Sequence, residues 1–143
     1  MSRRALTASD WRLLIAASSA QVLTMLVLRV VSVPTLQRVA ARLRPVAHLA
    51  LAGSEQRVIW AIEASGRRLQ GASTCLVRAL VAELALGSRE RPLRLTIGVK
   101  RAPGGDLQSH AWVVDPTDDG RILIGGSMVG EYVPLGPQNG LLP

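Results

Sequence analysis

The first 52 residues run through Leu, Val, Ala and Arg with no strand alternation, the pattern of helices that bury one broad face. Thr7 and Asp10 stand three apart, the spacing at which a threonine hydroxyl accepts from an orphan amide while the acid reaches back. Leu6 and Trp11 flank them at staple positions, so a helix is predicted to start at Thr7. It is expected to reach about residue 31, because Pro34 biases Val33 away from helical dihedrals and lacks a donor. A second helix is predicted over 35–49, with Arg38, Arg42 and Arg44 along it and Pro45 interrupting or kinking it. Residues 54–70 are helical again, with Val58, Ile59, Ile62 and Leu69 apolar and Glu55, Arg57, Glu63 and Arg67 polar. Gly66 or Gly71 ends that helix. Ser73 or Thr74 then caps a fourth, which carries Leu76, Val77, Leu80, Val81 and Leu84 before Gly87 closes it.

Beyond Gly87 the period changes to two. Leu93, Leu95, Ile97 and Val99 share one face of a strand, and 102–106 is a turn. Strands follow at 108–114 and 121–124 around the turn 115–120, and 132–135 adds an edge before Pro134 stops it. Helices followed by an antiparallel sheet predict an α+β fold rather than a doubly wound α/β one. The chain divides near Gly53 into a helical lead-in, 1–52, and a domain at 53–143.

At 143 residues the chain suits one core that buries roughly two-thirds of its unfolded surface. Its formal net charge of +7 comes almost wholly from arginine, since Lys100 is the only lysine, and it favours acidic partners. Nucleic acid is not expected among them: aromatics are 3% of residues, Phe is absent, and neither a Gly-rich phosphate loop nor a spaced metal-ligand set occurs. Residues 13–28 lie between Arg12 and Arg29, but they reach only about three-quarters of the length of a bilayer core, and Ser18, Ser19, Gln21 and Thr24 interrupt them. Arg3, Arg4 and the run 16–20 imitate a secretory signal, yet the capping box within the supposed basic region fits a folded helix better. A packed or partner-binding helix is expected, with weak membrane-surface contact as the alternative, in a cytoplasmic protein.

The candidate chemistry lies at the junction of helices and strands. Cys75, the only cysteine, sits in the first turn of the fourth helix, where free amides and the helix dipole favour an anion. His110 follows 35 residues later in the strand Ser109-His110-Ala111-Trp112-Val113-Val114. A helix-start thiol followed by a strand-borne imidazole is the order that papain-like and transglutaminase-like enzymes use for thiolate chemistry. A lone cysteine is also commonly a small buried thiol, and a strand histidine a half-buried core residue. One cysteine excludes a disulfide scaffold, and neither metal nor cofactor is expected. His48 lies outside any motif and is read as structural or surface.

The blocks 74–80 (Thr-Cys-Leu-Val-Arg-Ala-Leu), 95–100 (Leu-Thr-Ile-Gly-Val-Lys), 109–113 (Ser-His-Ala-Trp-Val) and 124–127 (Ile-Gly-Gly-Ser), with 58–62 upstream, closely resemble the transglutaminase-like leader peptidase of lasso-peptide biosynthesis over about 55–135. The resemblance implies a transglutaminase-like or papain-like cysteine protease core preceded by N-terminal helices. It implies a stand-alone subunit that removes the leader from a ribosomally made precursor. Because 1–52 lacks the strands of a leader-recognition module, a separate leader-binding protein is expected to present the precursor. An ATP-dependent macrolactam synthetase would act on the released core peptide.

Cys75 is then the nucleophile and His110 the base, with the Cys75 amide as one oxyanion donor and Gln70 or another upstream group as a second. The family places an orienting Asp on the strand after the histidine strand, where this chain has Ile124-Gly125-Gly126-Ser127 and no acid. Asp115 is the nearest substitute, but five residues from His110 it has opposite parity and needs a bulge or strand end to reach the ring. A backbone carbonyl, Gln108 or a simple dyad are the alternatives, while Asp118 and Asp119 belong to a solvated turn. Trp112 shares the His110 face and either walls the substrate site or packs in the core. Two other functions fit the same residues: acyl transfer to an amine, and a non-catalytic partner-binding subunit.

Overall fold

The computed structural model describes residues 5–71 and 73–135; Arg3 and Arg4 of the signal-like pattern lie outside them. Four helices precede an antiparallel sheet: α1 (Ala8–Leu28), α2 (Val33–Ala50), α3 (Glu55–Arg68), α4 (Cys75–Leu86), β1 (Arg94–Arg101), β2 (Leu107–Asp115), β3 (Arg121–Ile124) and β4 (Val133–Pro134). The strand order is β3-β2-β1-β4, so the fold is α+β with the helices before the sheet. A 3-10 turn, Gly126–Glu131, joins β3 to the short edge β4 and was not expected from the sequence.

The capping box at Thr7 and Asp10 forms with both of its bonds. Asp10 is nearly buried because it also pairs with Arg57 of α3, tying the start of α1 to its neighbour. Leu13, Leu14, Ala17 and Gln21 form the inward stripe of α1, and Leu13 and Gln21 are fully buried. By length and composition alone α1 is apolar enough to cross a bilayer, and Ile15, Leu23 and Leu26 lie on its exposed side. α2 begins at Val33 with Pro34 in its first turn rather than after it, since a proline there has no intrahelical donor to lose. Pro45 does not interrupt α2. The helix lies on the surface with no buried residue, so water can satisfy the exposed Ala41 carbonyl that Pro45 leaves without a donor.

α4 is the centre of the molecule. It packs on α1, α2 and α3 and on β1, β2 and β3, burying Val77, Ala79, Leu80, Val81, Ala82 and Ala85. Ala79 and Ala82 are fully buried, and such small side chains let neighbouring backbones approach closely. Leu13, Leu14, Ala17 and Leu51, from the N-terminal side of Gly53, share one core with residues of α3, α4 and the sheet.

At the far end of β2, Asp115 is 1% exposed. Its Oδ1 accepts from the Thr117 amide (2.9 Å) and hydroxyl (2.6 Å), and its Oδ2 from Arg91 Nε (2.5 Å). Arg91 also holds Glu55 at 2.6 Å, which joins the sheet end to the start of α3. Burial alone would raise the Asp115 pKa, but the hydrogen bonds from Thr117 and Arg91 outweigh it and hold the carboxyl below its ordinary value. A carboxyl depressed in the folded state contributes stability that is present above its unfolded pKa of about 4 and is lost as pH falls through the lower folded value. Asp115→Asn is therefore expected to cost about 2–3 kcal/mol in urea denaturation at pH 7. The gap from wild type should narrow as the pH is taken below about 4.

Candidate active site

Cys75 opens α4. Thr74 is the cap, its Oγ1 accepting from the Val77 amide at 3.2 Å, so the first-turn placement of the thiol follows from a threonine followed by an unbroken apolar run. The loop before it is anchored from α1. Gln21, fully buried, donates to Ser65 Oγ (2.6 Å) and the Ile62 carbonyl (3.1 Å), and its amide oxygen accepts from the Ser73 hydroxyl. A buried amide with these partners locks α1, α3 and the approach to Cys75 together. Its one sign along the chain is a glutamine inside an apolar helix.

His110 lies on β2 opposite Gly98 of β1. Its Nε2 stands 2.7 Å from the Gly125 carbonyl oxygen. A carbonyl only accepts, so this nitrogen carries a proton, and in the neutral ring Nδ1 is left as the acceptor. Gly125 turns the chain at the end of β3 with φ of +80°, and a Cβ there would lie 2.7 Å from the Ala111 oxygen and 3.0 Å from Trp112 Cβ. Only glycine fits that turn unstrained. The stretch 124–127, where the resemblance implies an acid, thus supplies a main-chain acceptor to the imidazole.

The ring is held on its other sides by aromatics. Trp112 stacks at 6.0 Å between centroids and Tyr132 lies tilted at 5.2 Å. Gly98 makes room for both: a Cβ there would meet the Trp112 ring at 2.7 Å and Tyr132 Cβ at 3.0 Å. Lys100 lies over the Tyr132 ring and pairs with Glu131. Tyr132, the only tyrosine, carries no local signal of this role.

Cys75 and His110, both half-buried, line one open cleft of about 360 Å³. Glu63, Arg78, Gly125 and Ser127 also line it. Arg78 Nη1 meets Glu63 Oε2 at 3.0 Å within its wall. The remaining expected site residues lie elsewhere. Asp115 is not placed as the orienting acid: the register does shift between Val113 and Val114, but both Asp115 oxygens are engaged by Arg91 and Thr117, away from the cleft. Trp112 shares the His110 face but is 3% exposed and does not line the cleft, so it buttresses the imidazole rather than walling the substrate site. Gln70 and Gln108 are exposed and off the cleft, and His48 bonds the Gly87 carbonyl at 3.0 Å. Among the described residues no group of three His, Cys, Asp or Glu side chains is arranged to hold a metal ion.

A thiol at a helix start and an imidazole on the adjacent antiparallel sheet are the arrangement of a transglutaminase-like cysteine enzyme fold. The family comparison agrees: the transglutaminase-like superfamily domain matches residues 13–136, and the chain belongs to that superfamily. Its members include cysteine proteases and acyltransferases, typically built on Cys, His and Asp. No curated protein and no solved structure matches the chain significantly.

The Gly125 bond predicts a single tautomer. Nitrogen-15 NMR of the chain, which has only two histidines, should show neutral His110 protonated at Nε2. In Gly125→Ala the strained turn should shift the carbonyl and mix the tautomers; an Nδ1-protonated ring in the wild type would refute the assignment.

Proposed function

We propose that this chain is a cysteine peptidase that removes the leader from a ribosomally made lasso-peptide precursor. The reading is carried by Cys75 at the start of α4 and His110, fixed by the Gly125 carbonyl, facing one open cleft in a transglutaminase-like chain. The finer assignment to lasso-peptide maturation rests on the motif blocks around Cys75, His110 and Gly125.

In the proposed reaction, Nδ1 of His110 takes the thiol proton and the Cys75 thiolate adds to the scissile carbonyl carbon. The resulting oxyanion receives the Cys75 main-chain amide at the helix start, where amides are free of intrahelical partners. The tetrahedral adduct breaks its C–N bond and expels the core's N-terminal amine, which takes the proton from the imidazolium, and the leader remains as a thioester on Cys75. Water then adds to the thioester as His110 accepts one of its protons, the C–S bond breaks with that proton returned to sulfur, and the leader leaves as a carboxylic acid that ionises in solution. Throughout, the Gly125 carbonyl keeps the Nε2 proton, so it stabilises the imidazolium by a hydrogen bond but supplies no full negative charge. The cost is a less stabilised ion pair than an Asp would give. Substrate binding and the partner protein tighten the geometry of a pair that shares a cleft without a direct hydrogen bond among the described contacts.

The proposed setting is the cytoplasm, with a separate leader-recognition protein presenting the precursor and an ATP-dependent macrolactam synthetase consuming the core. The test is mass spectrometry of a lasso precursor incubated with the purified chain. Cleavage at the leader–core junction is expected only when the leader-recognition protein is present, and Cys75→Ala and His110→Ala should each lower its rate by about 10³-fold or more. Full cleavage by either variant would instead favour a non-catalytic subunit. A product carrying an added amine, formed in place of the free acid, would favour acyl transfer.

A further inference from the structure

We infer that Arg78 and Glu63 form a recognition pair for the amide groups of a bound polypeptide, Arg78 donating to a carbonyl oxygen and Glu63 accepting from an N–H beside the bond that Cys75 attacks. The inference rests on the peptidase reading and deepens it. Arg78 follows Cys75 by three residues on α4, so the two side chains share a helix face. Helical side chains lean toward the N-terminus, which carries the Arg78 stem back over the turn that Cys75 opens.

The stem has a cleared path across α3. Arg78 Cδ lies only 2.7 Å from where a Cβ on Gly66 would be, so a bare glycine makes the crossing possible. Arg78 Nη1 then meets Glu63 Oε2 at 3.0 Å, with the two side chains still 29% and 32% exposed, in the wall of the cleft that holds Cys75 and His110. The Arg78 Nε is buried and lacks a hydrogen-bond partner among the described residues, so the pairing does not saturate the guanidinium.

Its charges decide what it selects. Arg78 and Glu63 cancel overall, so a lone carboxylate meets repulsion from Glu63 as well as attraction from Arg78. A peptide amide offers an acceptor to one and a donor to the other. A half-exposed ion pair by itself contributes little stability, which makes recognition the better account of its place.

The test uses the only cysteine as a reporter. Cys75 is alkylated with iodoacetamide, which carries an amide, and with iodoacetate, which carries a carboxylate, at about 0.15 M salt, which screens the net charge of +7 more than the nearby pair. The ratio of the two rates cancels changes in thiol ionisation, and glutathione gives the reference. The wild-type ratio of amide to carboxylate should exceed that of glutathione by about threefold or more. Glu63→Gln should bring it down toward the reference, Arg78→Gln should raise it further, and Arg78→Lys should leave it near wild type, each variant being checked by its melting midpoint. A wild-type ratio equal to that of glutathione, or Gln variants that both leave it unchanged, would overturn the recognition pair. Predicted ratios without any precursor cleavage would remove the peptidase reading and leave the pair standing. Failure of both reagents to label Cys75 would overturn both, since a cleft closed to a two-carbon reagent recognises nothing.

Discussion

The close packing of α4 against the sheet is the constraint on which the arrangement depends. Ala79 and Ala82 are fully buried in it, with α1, α2 and α3 on the remaining sides. A helix enclosed in this way has little freedom to slide or roll, because interiors at crystalline density resist even a single extra methylene. The position of Cys75 is therefore set by the whole core. Gln21 adds a polar lock to this packing, since its bonds to Ser65, Ile62 and Ser73 fix the loop from which α4 starts.

The second half of the site is positioned by the sheet. Gly98 and Gly125 perform opposite services for His110: one removes a side chain so that Trp112 and Tyr132 can close on the ring, and the other bends the chain so that its carbonyl reaches Nε2. An orienting acid would fix the tautomer and stabilise the imidazolium; a carbonyl fixes the tautomer and offers only its dipole. Asp115 is occupied differently, tying the end of β2 to Arg91 and through it to Glu55. The two carboxylate roles that a sequence pattern leaves open are thus separated in space.

Local signals carried much of this into the sequence. The capping box at Thr7, the Thr74 cap, the alternation of β1 and the order of helices before strands all act through neighbours in the chain, and each is visible there. Cys75 and His110 were legible for the same reason, as a helix start and a strand position. Missing were the features made by tertiary contact. Parity along β2 argued against Asp115 as the orienter but could not show that Arg91 and Thr117 claim it, and the carbonyl of Gly125 has no side-chain signature at all. Pro34 starts α2 rather than ending α1, and local pattern does not separate the two, because a proline in the first turn and one just past the end share the same dihedral preference. The Arg78 stem reaches Glu63 by crossing the bare Gly66, a contact between α4 and α3 that no local pattern announces.

The most direct measurement is a crystal structure of the chain with Cys75 trapped by a peptidyl aldehyde. The account predicts a hemithioacetal on Sγ inside the cleft, with Nδ1 of His110 about 3 Å from the adduct and Nε2 still on the Gly125 carbonyl. An adduct that leaves the imidazole turned away, or a ring whose orienting partner is a side-chain carboxylate, would contradict it.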